Sequence, residues 1–221
     1  MKTKTKTLTF DQSMKIFKKF VAKSSVRPVL QYVYFDGKYL VATDSHRLLR
    51  VNADYITDFP KNMKDTFLYC PKEMTSKNIY MSYPDISRLI PSSSDSTVLI
   101  NEKNIKDFQG LVKEAKKMLP KDVVRFNLSF TQMDATITVS ELKEGEWSEI
   151  YSKSIESLYV EGKPISFHVN ARYMNDALEA VKKLSKLSSN HVELRISSPI
   201  RPIHFKQEDV FDLLVLPIRV Y

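Results

Sequence analysis

Three stretches of helical periodicity, each followed by a strand pattern, restrict this chain to an α+β architecture with helices laid on antiparallel sheet. Over 11–24, Met14, Phe17, Phe20 and Val21 fall at helical spacing, with Asp11 as the expected N-cap. Over 102–119, Ile105, Phe108, Val112, Ala115 and Leu119 form one stripe between Asn101 and Pro120. Over 171–187, Met174, Ala177, Leu178, Val181 and Leu184 do the same behind Asn170. The strand pattern predicts a hairpin of 27–35 and 38–43 about Asp36-Gly37, where glycine tolerates positive φ. A second pairs 123–130 with 135–140 and a third pairs 191–197 with 200–205. The Ser-rich run Pro91-Ser-Ser-Ser-Asp-Ser96 is the natural linker, dividing the chain into domains 1–95 and 96–221.

The 221 residues are 43% apolar and 27% charged, the balance of a globular chain with a sizeable core. No apolar run approaches the roughly 20 residues that cross a bilayer, so no membrane association is expected. The Met1-Lys-Thr-Lys-Thr-Lys-Thr7 start lacks the apolar stretch of an export signal. Together with the lone Cys70, which has no intramolecular disulfide partner, this predicts the cytoplasm. Only Gly37, Gly110, Gly145 and Gly162 are present, too dispersed for G-x-G-x-x-G or a P-loop. Nucleotide chemistry of those two kinds is excluded, and no cofactor is expected.

The net charge is +8, and the three helical stretches hold +7 of it. Their basic residues are Lys15, Lys18, Lys19 and Lys23, then Lys103, Lys106, Lys113, Lys116 and Lys117, then Arg172, Lys182, Lys183 and Lys186. Lysine dominance and the lack of a zinc-finger or helix-turn-helix signature fit attraction to phosphates without base readout. A lysine-rich helix face is equally a common solvated surface, so charge alone leaves both readings open.

No constellation argues for an enzyme. Asp44, Ser45 and His46 are chain neighbours, whereas a hydrolytic triad converges from separate segments. No G-x-S-x-G surrounds Ser45. His46, His168, His191 and His204 have no metal-site spacing, so no metal is expected.

Four segments, in order, carry a family resemblance. Arg27-Pro-Val-Leu30, a hairpin, and Leu40-Val-Ala-Thr-Asp-Ser-His-Arg-Leu48 resemble the middle domain of the bacterial sliding clamp, the beta subunit of DNA polymerase III. Tyr83-Pro-Asp-Ile-Ser-Arg-Leu-Ile-Pro91 is similar to the segment closing that domain. Phe167-His-Val-Asn-Ala-Arg-Tyr-Met174 resembles the helix entry of the family's last domain, and Leu214-Val-Leu-Pro-Ile-Arg-Val220 its C-terminal segment.

The resemblance implies a DNA-clamp fold of two clamp-like domains, the family's first domain lacking and the first one here shortened after Phe67-Leu-Tyr-Cys-Pro-Lys-Glu-Met74. It implies a non-enzymatic processivity factor, in a phage-like variant, that encircles duplex DNA with the thirteen basic residues facing the nucleic acid. Two domains per chain imply a homotrimeric ring closed head to tail. Polymerase and clamp loader would dock short peptide motifs in a cleft of Leu30, Thr43, His46, Arg47, Leu48, Pro91, Leu214, Leu216, Pro217, Ile218 and Arg219. From the residues alone, Leu30, Leu48, Leu214 and Leu216 also read as plain core. The alternative is a clamp-like adaptor or competitor that binds client peptides without encircling DNA. Ser45 stands where the family has glycine, and Tyr221 extends past its usual end.

Overall fold

A computed structural model describes residues 6–219 except 25, 61–65, 78–81, 119–122, 131–133 and 157–158. Leu119, Pro120, most of the turn predicted between the 123–130 and 135–140 strands, and Tyr221 therefore lie outside the described residues.

The chain opens with β1 (Leu8–Thr9), α1 (Phe10–Phe17), β2 (Val33–Phe35), β3 (Tyr39–Thr43) and β4 (Arg47–Asn52). Short strands β5 (Ile56–Thr57), β6 (Phe67–Cys70) and β7 (Thr75–Lys77) follow. Next come β8 (Ser96–Ile100), α2 (Glu102–Met118), β9 (Val123–Phe130), β10 (Asp134–Lys143), β11 (Glu146–Glu156) and β12 (Val160–Glu161). The chain closes with β13 (Ile165–Asn170), α3 (Ala171–Leu184), β14 (Val192–Ile196), β15 (Ile203–Gln207) and β16 (Phe211–Val215). One order, strand-helix-strand-strand-strand, thus occurs three times, starting at β1, β8 and β13.

The last two units exchange their first strands: β13 joins β9 in a four-stranded sheet β11-β10-β9-β13, and β8 joins β14 in the larger sheet. That sheet has ten strands, β12-β8-β14-β15-β16-β4-β3-β2-β6-β7, and draws on both sides of residue 95. In the first unit β6 pairs with β2 as β13 pairs with β9, but the three-residue β7 follows it where α3 follows β13. The shortening expected after 67–74 falls on this part of the chain, of which 78–81 lie outside the described residues.

Registered pairs Ala42, Leu49, Leu213, Phe205, Leu194 and Val98 lay an apolar row across β3, β4, β16, β15, β14 and β8. All six are buried, within one continuous core shared with Met14 and Phe17 of α1, Phe108 and Val112 of α2, and Leu178 and Val181 of α3. On the opposite face, Asp212 accepts from Arg50 at 2.6 Å and meets the buried His204 ring at 2.9 Å. Burial alone would raise the Asp212 carboxyl, but His204 and the Arg50 guanidinium outweigh it and hold the group below its ordinary value. A depressed value in the fold gives stability that is complete above the unfolded carboxyl value and is lost as pH falls through the folded one. Urea titrations below about pH 4 should show Asp212→Asn losing stability less steeply with pH than the wild type.

The helix boundaries follow the caps. Asn170 accepts from the backbone N–H groups of Arg172 and Tyr173 at 3.0 and 3.1 Å, and Asn101 and Asn104 cap one another reciprocally. The predicted 11–24 helix is corrected: α1 starts one residue earlier behind Thr9, whose hydroxyl accepts from the Gln12 N–H at 3.2 Å in a capping box. It ends at Phe17 because the next carbonyls and amides are taken by distant groups, Lys19 by Arg47 and Ala22 by Leu30. The predicted 27–35 strand is also shorter, since Pro28 opens a 3-10 turn over Pro28–Gln31. Strands β4, β8, β11, β13 and β16 add to those the pattern predicts. No described helix is long and apolar enough to cross a membrane.

Candidate functional site

The turn between β3 and β4 is organised by its own side chains. Asp44 Oδ1 accepts from the backbone N–H groups of His46 and Arg47 at 3.0 and 2.8 Å. The Thr43 hydroxyl donates to the Arg47 carbonyl at 2.7 Å and accepts from the Ser45 N–H at 3.2 Å. This holds Ser45 at φ 73°, the left-handed region that favours glycine. Ser45→Gly is expected to stabilise the fold by about 1 kcal/mol, read as a melting temperature higher by about 2–4 °C.

Arg47 is buried at 5% exposure, and the fold holds its guanidinium on every side. Asp44 Oδ2 accepts from Nη2 at 2.7 Å and from Nε at 3.1 Å; Asp176 of α3 accepts from Nη1 at 2.9 Å. Nη2 also donates to the Lys19 carbonyl at 2.7 Å, and the group lies 4.2 Å from the Tyr173 ring centre and 5.2 Å from Phe20. Lys19 Nζ pairs with Asp176 at 3.3 Å and with Glu179. Burial would lower the Lys19 ammonium, yet the Glu179 and Asp176 carboxylates raise it, while the Lys19 hydrogen bond holds Glu179 below its ordinary value. One network thus fastens the end of α1, the β3–β4 turn and α3 together.

The predicted cleft residues fall into two settings. Thr43, Leu48 and Leu214 stand in register across β3, β4 and β16, buried on the face opposite the main core. Leu30 is buried in the 3-10 turn, and its carbonyl accepts from the Ala22 N–H at 2.8 Å. Beyond β16 the tail passes the turn: the Leu216 N–H donates to the His46 carbonyl at 2.9 Å and the Ile218 N–H to the His168 carbonyl at 2.8 Å. Leu216 is 39% exposed, Pro217, Ile218 and Pro91 are half-buried, and Arg219 is exposed. His46 is exposed and stacks on Tyr173, with ring centres 5.6 Å apart.

Two further residues belong to this region. Tyr173, the second residue after Ala171 at the start of α3, carries both the His46 ring and the Arg47 guanidinium. Tyr83 stacks on Tyr34 at 5.0 Å, and burial pushes its phenol well above the ordinary value. It anchors the strand-poor segment after residue 81 to the sheet. The Tyr83-Pro-Asp pattern pointed at the segment, whereas nothing local marked Tyr173 as the ring beneath Arg47.

The thirteen basic residues sort by surface. A groove of about 1070 Å³ between α1, α2 and α3 gathers Lys6, Lys15, Lys113, Lys182, Lys183 and Lys186, with Ile16 and Leu187 also lining it. Glu179 is its one carboxylate. A separate cleft of about 730 Å³ is lined by Lys15, Lys18, Lys19, Lys23 and Arg172 together with His46, Arg47 and Tyr173. Lys103 pairs with Glu156 at 3.3 Å and Lys106 with Glu102 at 3.0 Å, while Lys116 and Lys117 are exposed in the last turn of α2. Among the described residues no group of His, Cys, Asp and Glu is arranged to hold a metal.

This repeated unit, with helices packed on antiparallel sheets, defines a clamp-type α+β fold, and solved structures place it. The chain superposes on the DNA polymerase sliding clamp of Bacillus subtilis with a TM-score of 0.72 and 21% identity, over 96% of this chain and 62% of that one. The beta subunit of DNA polymerase of Streptococcus pyogenes gives 0.67 and 18%, over 95% and 64%. DNA polymerase III subunit beta of Borrelia burgdorferi, in complex with a natural product, gives 0.69 and 16%, over 96% and 62%. The fold is that of the bacterial sliding clamps, and the chain spans just under two thirds of the length of these structures. No protein-family model matches the sequence, and no curated protein matches it.

Proposed function

We propose that this protein is a sliding clamp, a non-catalytic processivity factor that encloses duplex DNA and tethers a polymerase through the cleft at His46, Leu48, Leu214 and the 216–219 tail. The observation that carries the reading is the convergence of lysines from all three helices on one groove of a clamp fold. Lysine ammonium groups on exposed helix faces attract phosphates of any sequence, which a protein that slides requires. Three chains, joined by heterologous contacts, close the ring. Partners are duplex DNA, a polymerase and a loader, and the working compartment is the cytoplasm.

The cleft reading rests on apolar side chains beside a polar rim: buried Leu30, Leu48 and Leu214 with exposed Leu216 next to His46. The test loads the protein on nicked circular DNA and follows retention by gel filtration. Retention on the circle, loss on linearisation and a mass of three chains are the expected results. A single-chain mass with peptide binding but no retention overturns the ring in favour of an adaptor. Leu216→Asp with Ile218→Asp should weaken binding of a polymerase-tail peptide at least about 100-fold while circular dichroism stays unchanged.

A further inference from the structure

The second cleft separates cations that are already matched from cations that are not. Its two carboxylates, Asp44 and Asp176, are held by Arg47 and Lys19. Lys15, Lys18, Lys23 and Arg172 are exposed, and among the described residues none of them has an ion-pair partner. The recess therefore presents four unmatched positive charges around an aromatic shelf, the Tyr173 ring with His46 stacked on it. At about 730 Å³ it has the size of a pocket for a few side chains, and its concavity suits a thin chain more than the cylinder of a duplex.

We infer that this cleft selects an acidic peptide segment: a client tail whose apolar or aromatic residue rests by the Tyr173–His46 shelf while flanking Asp or Glu residues meet Lys18, Lys23 and Arg172. The inference rests on the peptide-cleft reading and adds the charge of the partner to it. It also moves Lys18, Lys23 and Arg172 from the DNA wall to client recognition, leaving Lys15 at the boundary of the two surfaces. Proximity to the tail supports the placement, because His46, which lines the recess, accepts from the Leu216 N–H through its carbonyl. Opposite charge on a partner speeds encounter and rejects basic competitors.

A random twelve-residue display library, selected on the whole protein and on a Lys18→Glu, Lys23→Glu, Arg172→Glu variant, tests this. Wild type should enrich peptides with an apolar or aromatic core flanked by Asp or Glu, and the variant should lose that acidic bias. For a synthesised wild-type winner, the variant should bind about tenfold more weakly or worse at low salt. The difference should shrink in 0.5 M salt, where the screening length is about 4 Å. Winners that compete at Leu216 and Ile218 but carry no acidic bias overturn the inference and leave the cleft reading standing. No winner sensitive to Leu216→Asp overturns both. If the triple variant instead loses retention on circular DNA as fully as a Lys113, Lys182 and Lys183 variant, these cations face the duplex and the inference fails.

Discussion

Replacing Lys113, Lys182, Lys183 and Lys186 with glutamine is expected to collapse retention on DNA without unfolding the protein. Lys113, Lys183 and Lys186 are exposed, Lys182 is half-buried, and among the described residues only Lys186 of the four has an ion pair, a long 3.6 Å contact to Glu102. Each phosphate contact removed should reduce the slope of log affinity against log salt by about 0.9, so the fourfold variant should lose about 3–4 in slope. The same variant should melt within a few degrees of wild type, because three of the four side chains are exposed. Measuring affinity for a short duplex at several salt concentrations separates this outcome from general damage. A slope left unchanged would remove the groove from the DNA-facing surface.

Arg47→Met is expected to be the most destabilising single substitution in the region. It leaves Asp44 and Asp176, 11% and 19% exposed in their side chains, facing one another's neighbourhood without the cation between them. Breaking a buried ion pair by removing one partner costs about 3–5 kcal/mol, and the partial exposure of both carboxylates places the expected loss at the lower end. Urea denaturation reads it directly. Arg47→Lys should recover little, because one ammonium cannot reproduce a planar fork that meets Asp44, Asp176 and the Lys19 carbonyl together. Adding Asp44→Asn to Arg47→Met should return part of the loss, since it removes the carboxylate left without a cation, whereas Asp176 keeps Lys19. If Arg47→Met is instead as stable as wild type, the network is not what fastens α1 to α3.

How far these sites could be read from sequence depends on whether the deciding interaction is local. The caps at Asn101 and Asn170 and the apolar stripes behind them are local, so α2 and α3 begin where the pattern places them. The end of α1 is not local: Met14 to Val21 continues a helical stripe, but the Lys19 carbonyl belongs to an arginine 28 residues away. Lys19 itself reads as one more surface lysine, and only the fold brings Asp176 and Glu179 to it across 157 and 160 residues. Arg47 sits inside a recognisable run, yet its role as a tie between three elements depends on Tyr173 and Asp176, which no spacing connects to it. Leu48 and Leu214 read as core or as cleft from sequence; they are buried, on the sheet face away from the main core. That placement needed the register of β4 on β16.

The ten-stranded sheet has a mechanical meaning. At roughly 4.8 Å per strand its ladder of main-chain bonds extends about 40 Å from β12 to β7, crossing from one half of the sequence to the other where β16 meets β4. The polypeptide itself passes from the first half of the sequence into β8, three strands from β16, so the chain and the ladder cross between halves at different places. A load across the sheet is carried in parallel by the paired bonds of Phe211–Val215 with Arg47–Asn52, braced by the Arg50–Asp212 contact. Bending between the two halves of the sequence is therefore resisted within the chain by this ladder, and in the ring proposed above opening would fall to the joints between copies.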